Sequence, residues 1–267
     1  MRIPKWLAKL VWPLGVAVVA ICIWDVVVRF SELPRIVLPS PIEVASLGWE
    51  NRHLLIAGFW QTGKATACGL LTSVGLGTLT AILFSQSANL RRAFYPYVIF
   101  LQTVPIVAIA PLLIIWSGYN FRTIVMISTI VSIFPIVANV TSGLLSIDSD
   151  SEDLFRLNNA SRWQILTKLR IPAAVAFLIV GMRIACGLAV IGAIIGEYFV
   201  GSANASYKGL GAMMSQWQAG GKTPELMSAV LVSTILGVAF FSLINVLGNT
   251  LLKRWTIASQ FENSGSR

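Results

Sequence analysis

Ser149-Asp150-Ser151-Glu152-Asp153-Leu154-Phe155-Arg156-Leu157-Asn158-Asn159-Ala160-Ser161-Arg162-Trp163-Gln164-Ile165-Leu166-Thr167-Lys168-Leu169-Arg170-Ile171-Pro172 is a charged, helix-prone stretch set between apolar ones. Ser149 with Glu152, and Ser161 with Gln164, each have the spacing of a capping box, in which a hydroxyl and a side-chain carbonyl satisfy helix N-terminal amides. The stretch therefore predicts two short helices, with Pro172 stopping the second or opening the next segment. A pair of short helices on the face of a membrane protein is a shape that another protein can hold.

The flanks decide that it is a membrane protein. The chain is 56% hydrophobic and only 12% charged, with a mean hydropathy of +0.77. A soluble domain carries about 25% charged residues. The expected fold class is all-α, a polytopic membrane protein of about six transmembrane helices and little soluble mass. The net charge of +9 fits the basic bias of cytoplasmic loops. A nucleic-acid role would need a basic, aromatic-laced soluble surface, and the sequence offers none. Cys22, Cys68 and Cys186 lie in apolar runs with neither metal-ligand nor disulfide spacing, and His53 has no partner cluster.

In chain order, the basic start (Arg2, Lys5, Lys9) and the apolar run that follows could be a signal peptide, but no small-residue cleavage site follows. The run is read as a first membrane helix over 10–30, with Asp25 near its outer end. Ser40, Pro41 and Glu43 then have the cap, N1 and N3 chemistry of a short surface helix. A second span over 58–84 has small residues at every fourth position: Ala65, Gly69, Ser73, Gly77 and Ala81. Such a stripe lets another helix approach closely. A third span, from Tyr95 to Trp116, contains Gln102, Pro105 and Pro111. Prolines are tolerated inside the membrane where protein or a cavity satisfies the freed carbonyls, so Gln102 and Pro105 are candidates for lining a pathway, a plain packing kink being the alternative. A fourth span, from Arg122 to Leu145, holds Pro135 and Asn139, the next pathway candidate.

After the polar stretch, a fifth span over 173–196 repeats Gly181, Ala185, Ala189 and Ala193, with Gly192 and Gly196 as a second small pair. Arg183 sits near the inner interface or points into a cavity. Glu197 closes this helix, either as a functional carboxylate at the membrane edge or as one exposed at headgroup level. Residues 198–226 read as a Gly-rich loop around Lys208-Gly209-Leu210-Gly211, and a sixth span follows from 227 to 251. The whole is a single transmembrane domain with its core over 58–251. Basic residues concentrate on one side (Arg2, Lys5, Lys9, Arg91, Arg92, Arg156, Arg162, Lys168, Arg170, Lys253, Arg254, Arg267) against fewer on the other (Arg29, Arg35, Arg52, Lys64, Arg122, Lys208, Lys222). This predicts both termini and the 149–172 stretch on the cytoplasmic side.

No Walker loop, zinc-protease motif, nucleophile elbow or dinucleotide fingerprint occurs, so no covalent chemistry and no cofactor is expected of the chain. Uphill movement of a solute would then draw on an ion gradient or on another protein. Ion-coupled transporters tend to carry intramembrane carboxylates and inverted repeats. Here Asp25, Arg183 and Glu197 are sparse and near span ends, which favours an external motor over an ion-coupled secondary transporter, a channel or a mere membrane anchor.

The residues also carry a resemblance. The stretch from Asp153 to Pro172 resembles the EAA loop of importer-type ABC permeases, with Asp153 at the acidic position, Leu154 and Phe155 at the alanines, and Asn159 at the glycine. Asn tolerates the left-handed conformation that glycine would supply there. Arg156 lies within the motif, Ala160-Ser161-Arg162-Trp163-Gln164 matches the family form, and Leu169-Arg170-Ile171-Pro172 replaces Ile-x-Leu-Pro. Leu38-Pro39-Ser40-Pro41, Trp116-Ser117-Gly118, Phe134-Pro135, Gly181-Met182-Arg183, and Glu197 followed by Gly209-Leu210-Gly211 are similar to permeases of the nitrate/sulfonate/taurine importers. The 189–197 segment looks more like the branch serving thiamine pyrimidines and riboflavin. The resemblance implies an inner-membrane permease of a prokaryote working as a homodimer. It also implies a cytoplasmic ABC ATPase seated on the loop, which would be the coupling helix, and an extracytoplasmic solute-binding protein meeting the 41–50 helix and the 198–225 segment.

Overall fold

The computed structural model describes residues 5–31, 34, 36–203 and 207–264, and the side chains among them of residues 11, 12, 14–31, 34, 36–203 and 207–252. Those residues form helices and connecting turns, with no strand among them. We number the helices α1 (Lys5–Phe30), α2 (Pro41–Glu50), α3 (Arg52–Gln86), α4 (Ala88–Thr103), α5 (Ile106–Ser117), α6 (Phe121–Leu145), α7 (Ser149–Leu157), α8 (Arg162–Ile165), α9 (Ile171–Ala203), α10 (Leu210–Ala219) and α11 (Thr223–Ser264). A π-helical turn, Leu166–Arg170, joins α8 to α9 without a break.

Four stretches among the described residues are long and apolar enough to cross a membrane: α3, α6, the continuous α8–α9 and α11. Helices α4 and α5 together make a fifth if their bent pair is one span. Helix α1, at 26 residues, also has the length of a span. The bend between α4 and α5 is 100°, where the sequence predicts one continuous helix from Tyr95 to Trp116. Pro105 is the reason. Its ring bars the preceding residue from helical geometry, and Val104 is extended at φ −72, ψ 125. Pro96 and Pro111 lie inside helices and break neither.

Helix α6 is the centre, flanked by α3 and α9. The two small-residue stripes make those contacts. Ala65, Gly69, Ser73, Gly77 and Ala81 on α3, and Gly181, Ala185, Ala189, Gly192, Ala193 and Gly196 on α9, are all buried. A Cβ on Gly192 would stand 2.8 Å from Ser128 Cα, and one on Gly77 would stand 2.8 Å from Ile136 Cγ2. Ser128 Oγ donates to Ala189 O at 2.9 Å across the α6–α9 seam. Apolar side chains point outward along α3 and α11, as a lipid-facing surface requires: Leu71, Leu79, Ile235 and Val246 are all exposed.

Three local expectations change. The last helix and the fifth start earlier or end later than their apolar runs, α9 continuing through Ala203. The segment over 198–226 is not a plain loop, because α10 folds back and buries Leu210 through Ser215 against α9, α11 and α3. Asp148, not Ser149, precedes α7, and no side-chain cap is made there. By contrast, the Ser161–Gln164 capping box is complete, Ser40 Oγ accepts from Glu43 N at 3.2 Å, and Asn159 is left-handed at φ 55. Of the residues used to orient the chain, the side chains of Arg2, Lys5, Lys9, Arg35, Lys253, Arg254 and Arg267 lie outside the described residues.

Filling the α6–α9 seam tests this packing. Gly192→Val should lower stability by about 1–3 kcal/mol, since backbone lies where the new side chain must go. Gly75→Ala, with nothing within 4 Å of the added Cβ, should be neutral or slightly stabilising. Thermal unfolding in detergent reads both, and equal effects would contradict the seam.

Candidate functional site

The polar segment folds into a bracket. Helix α7 ends at Asn158, the left-handed Asn159 reverses the chain, and α8 starts from Ser161. The left-handed turn is what allows two short helices to meet across four residues. The π turn then solves a local problem. Pro172 has no amide hydrogen, and its ring would strike the carbonyl four residues back. Ile171 N instead donates five residues back, to Leu166 O, and α9 proceeds with Pro172 as its second residue.

Glu152 holds the bracket to the bundle. Its Oε2 lies 3.0 Å from Arg170 Nη2 and its Oε1 lies 2.7 Å from Arg156 Nη2. Arg170 Nη1 donates to Ser85 O, at the end of α3, at 2.9 Å. The hydrogen bond from Arg170, then that from Arg156, holds the Glu152 carboxyl below its ordinary 4.5. These residues line a cavity of about 360 Å³ with Gln86, Ala160, Arg162 and Ile165. Three arginines face one glutamate there, so the cavity is cationic. Around it the bracket exposes Leu154, Leu157 and Trp163 at 60%, 80% and 70%. Of the residues singled out in the sequence, Asp153 is exposed on α7, Phe155 is half-buried, Arg156, Ala160 and Arg162 line the cavity, and Ser161 caps α8. The sequence gives Glu152 only a capping role and Arg170 only a place in the basic bias and the loop's tail. The i,i+4 spacing of Glu152 and Arg156 was visible, but Arg170 reaches Glu152 only through the bracket.

A second cavity, of about 380 Å³, opens where α4 breaks from α5 against α6 and α9. Gln102 and Asn139 are the amides of its wall, and the remainder is apolar, including Val104, Ile109, Phe134 and Leu188. Asn139 Nδ2 donates to Pro135 O at 2.8 Å. Pro105 makes the break that opens the space without lining it. Arg183 lies elsewhere, its Nη2 donating to Asn249 Oδ1 on α11 at 3.3 Å.

Glu197 also lies outside that cavity, and it is fully buried rather than exposed at headgroup level. Thr62 Oγ1 donates to its Oε2 at 2.7 Å and Gly211 N at 3.1 Å, while Tyr207 OH reaches Oε1 at 3.5 Å. Leu210 N donates to Thr62 Oγ1 at 2.9 Å. A side chain on Gly209 would collide with this carboxylate, and one on Gly211 with Ile194 O. The Gly-Leu-Gly turn is thus shaped to lie against Glu197, which explains two glycines that composition alone left as loop.

Comparison with known proteins gives a family and a fold. Residues 73–256 match the family described as "Binding-protein-dependent transport system inner membrane component". The formylaminopyrimidine transport permease protein ThiX of Halalkalibacterium halodurans is 31% identical over 86% of this chain and 90% of its own length. The riboflavin transport system permease protein RibX of Chloroflexus aurantiacus is 30% identical over 93% of each chain. The fold is similar to that of an inward-facing structure of the MetNI methionine ABC transporter, with a TM-score of 0.62, 20% identity, and coverage of 76% of this chain and 97% of that one.

Glu152→Gln should loosen the bracket by about 1–3 kcal/mol, because Arg170 loses its partner in a half-buried place. Arg156→Gln, at the exposed rim, should cost about 1 kcal/mol or less. Hydrogen exchange over residues 149–160 reads the difference. The lowered carboxyl also sets a sign for pH: the clasp contributes fully above pH 4.5 and is lost as pH falls through the lowered value. Protection that rises on acidification would contradict it.

Proposed function

This chain belongs to the family of inner membrane components of binding-protein-dependent transport systems, and from that membership we propose how its surfaces divide the work of an ABC importer permease. It is the transmembrane permease subunit of an ATP-driven importer, a class of subunit that works with an ATPase subunit and a solute-binding protein. The α7–α8 bracket is the coupling helix. The observation that carries this is the exposure of Leu154, Leu157 and Trp163 around an arginine-lined cavity. Asp153, Leu154, Phe155, Arg156, Asn159, Ala160, Ser161 and Arg162 form the face that the ATPase grips, and Pro172 marks where its motion enters α9. ATP hydrolysis takes place in that separate subunit. The basic bias puts the bracket and both termini in the cytoplasm.

Two copies of the chain pair as a homodimer and form the pathway between them. Gln102 and Asn139 belong to its wall and Pro105 makes the break that opens it, while Arg183 and Glu197 support it by fixing α9 to α11 and to α10. Helix α2 and the 207–225 segment face the binding protein. The solute is of the vitamin-precursor class, a thiamine-type pyrimidine or a flavin. Two things favour it over nitrate or an alkanesulfonate. The relatives named for formylaminopyrimidine and riboflavin are 31% and 30% identical, against 26% for a putative aliphatic sulfonates permease of Bacillus subtilis. The α4–α5 cavity also offers amides and apolar surface with no cation in its wall, which suits a neutral heterocycle better than a strong anion.

Asp153→Lys reverses charge on the gripped face, and Asn159→Val forces a β-branched residue into a left-handed turn. Each should lower uptake about ten-fold or more while the protein stays in the membrane and the ATPase keeps its basal rate. Single cysteines at 156 or 162 should be labelled only from the cytoplasm. Uptake that survives loss of the ATPase, or labelling from outside, would overturn the assignment. The copurified binding protein should take pyrimidines or flavins and ignore nitrate and sulfonates.

A further inference from the structure

A third cavity, of about 400 Å³, opens between α4 and α6 at the end of the bundle that carries the bracket. Arg91, Arg92, Tyr95 and Pro96 line it from the first turns of α4, and Thr141, Ser142 and Leu145 from the last turns of α6. It shares no residue with the bracket cavity or with the one at the α4–α5 break. Among the described residues neither the Arg91 nor the Arg92 guanidinium has a hydrogen bond or an ion pair. Thr141 is 4% exposed and its Oγ1 has no partner. The contrast with its neighbour is informative, since Ser142 Oγ donates to Ala138 O at 2.9 Å. A helical hydroxyl in a membrane protein usually satisfies itself in that way. Thr141, like Thr66 and Thr78 on α3, instead keeps a buried hydroxyl without a partner.

We propose that this cavity binds the headgroup end of an anionic phospholipid. Arg91 and Arg92 take the phosphate oxygens, and Tyr95, Pro96 and Leu145 flank the first acyl carbons. Depth favours a lipid. Leu145 ends α6, and four residues later the polar α7 begins, while Ser87, the cap of α4, lies four residues before Arg91. The cavity is therefore at the boundary between membrane and water. Chemistry favours it as well. Guanidinium forks match phosphate oxygens, and basic pockets between membrane helices are a recurring headgroup site. The apolar walls would gain nothing from a free phosphate. Phe94 and Tyr97 are exposed beside it on α4, as interface aromatics are. A lipid held here would tie α4 to the end of α6 that leads directly into the bracket. The inference needs only that this end of the bundle meets a membrane surface, whichever side that is, and does not depend on the solute.

Native mass spectrometry of the full-length chain in detergent tests it. The protein is titrated with dioleoyl phosphatidylglycerol and, separately, with dioleoyl phosphatidylcholine. The anionic lipid should bind about thirty-fold more tightly, from two interfacial arginines. Arg91→Gln/Arg92→Gln should bring the ratio close to one. Arg122→Gln, at the far end of α6, should leave the ratio unchanged. Four outcomes would overturn the proposal: no preference in the unmodified chain, a preference that survives the double substitution, one that Arg122→Gln erases equally, or complete displacement of the lipid by millimolar inorganic phosphate.

Discussion

Helix α9 meets α6 backbone to backbone, with Gly192 over Ser128 Cα, Gly181 against Pro135 O and Gly196 against Ile124 Cα. In lipid, apolar side chains gain little by leaving the acyl chains for one another, so association rests on close packing and interhelical hydrogen bonds. Small residues supply the first, and Ser128 Oγ with Ala189 O supplies the second. Helix α3 joins from the other side on the same terms, Gly69 beside Ser128 and Thr129 Oγ1 donating to Gly69 O at 3.3 Å. One serine thus sits at the crossing of three helices. A bulky residue at any of these positions would separate helices that have little else to draw them together.

Two polar clusters lie toward opposite ends of this trio. Toward one end Arg170, on the run into α9, joins Ser85 of α3 and Glu152 of α7. Toward the other, Glu197 of α9 joins Thr62 of α3 and Gly211 of α10. Thr62 and Ser85 are about 35 Å apart along α3. Helices α3 and α9 are therefore pinned at both ends and packed between. The chain enters the bracket from α6 and leaves it into α9, so the two most tightly packed helices are also the two it is attached to.

The break between α4 and α5 is the counterpart of that rigidity. Val104 and Pro105 give up the helical bonding that the rest of the bundle keeps, and protein on the flanking α6 and α9 encloses the space that results. Irregular backbone at membrane depth is tolerated where it lines a cavity. The scaffold thus concentrates its irregularity at the α4–α5 cavity and its regularity along α3, α6 and α9.

Much of this was legible in the sequence because it depends on local chemistry. Composition set the membrane class, four-residue spacing of small residues marked both packing stripes, and the caps at Ser40 and Ser161 and the left-handed Asn159 are properties of a few neighbouring residues. The family motif around Asp153 to Pro172 located the bracket. Sequence spacing misjudged Ser149 and α10, and left Glu197 open between two readings, because each depends on a distant partner. Glu152 goes to Arg170 instead of completing a cap. Glu197, one residue past an apolar run, is buried because Thr62, Tyr207 and the Gly209–Gly211 turn fold over it. Residues that look like a loop become a packed helix for the same reason. The sequence alone determined where most helices form and which faces of the long ones pack; only the tertiary structure decided which polar groups meet, because a buried carboxyl is satisfied by whatever the fold brings within about 3 Å, and Glu197 finds Thr62, 135 residues away.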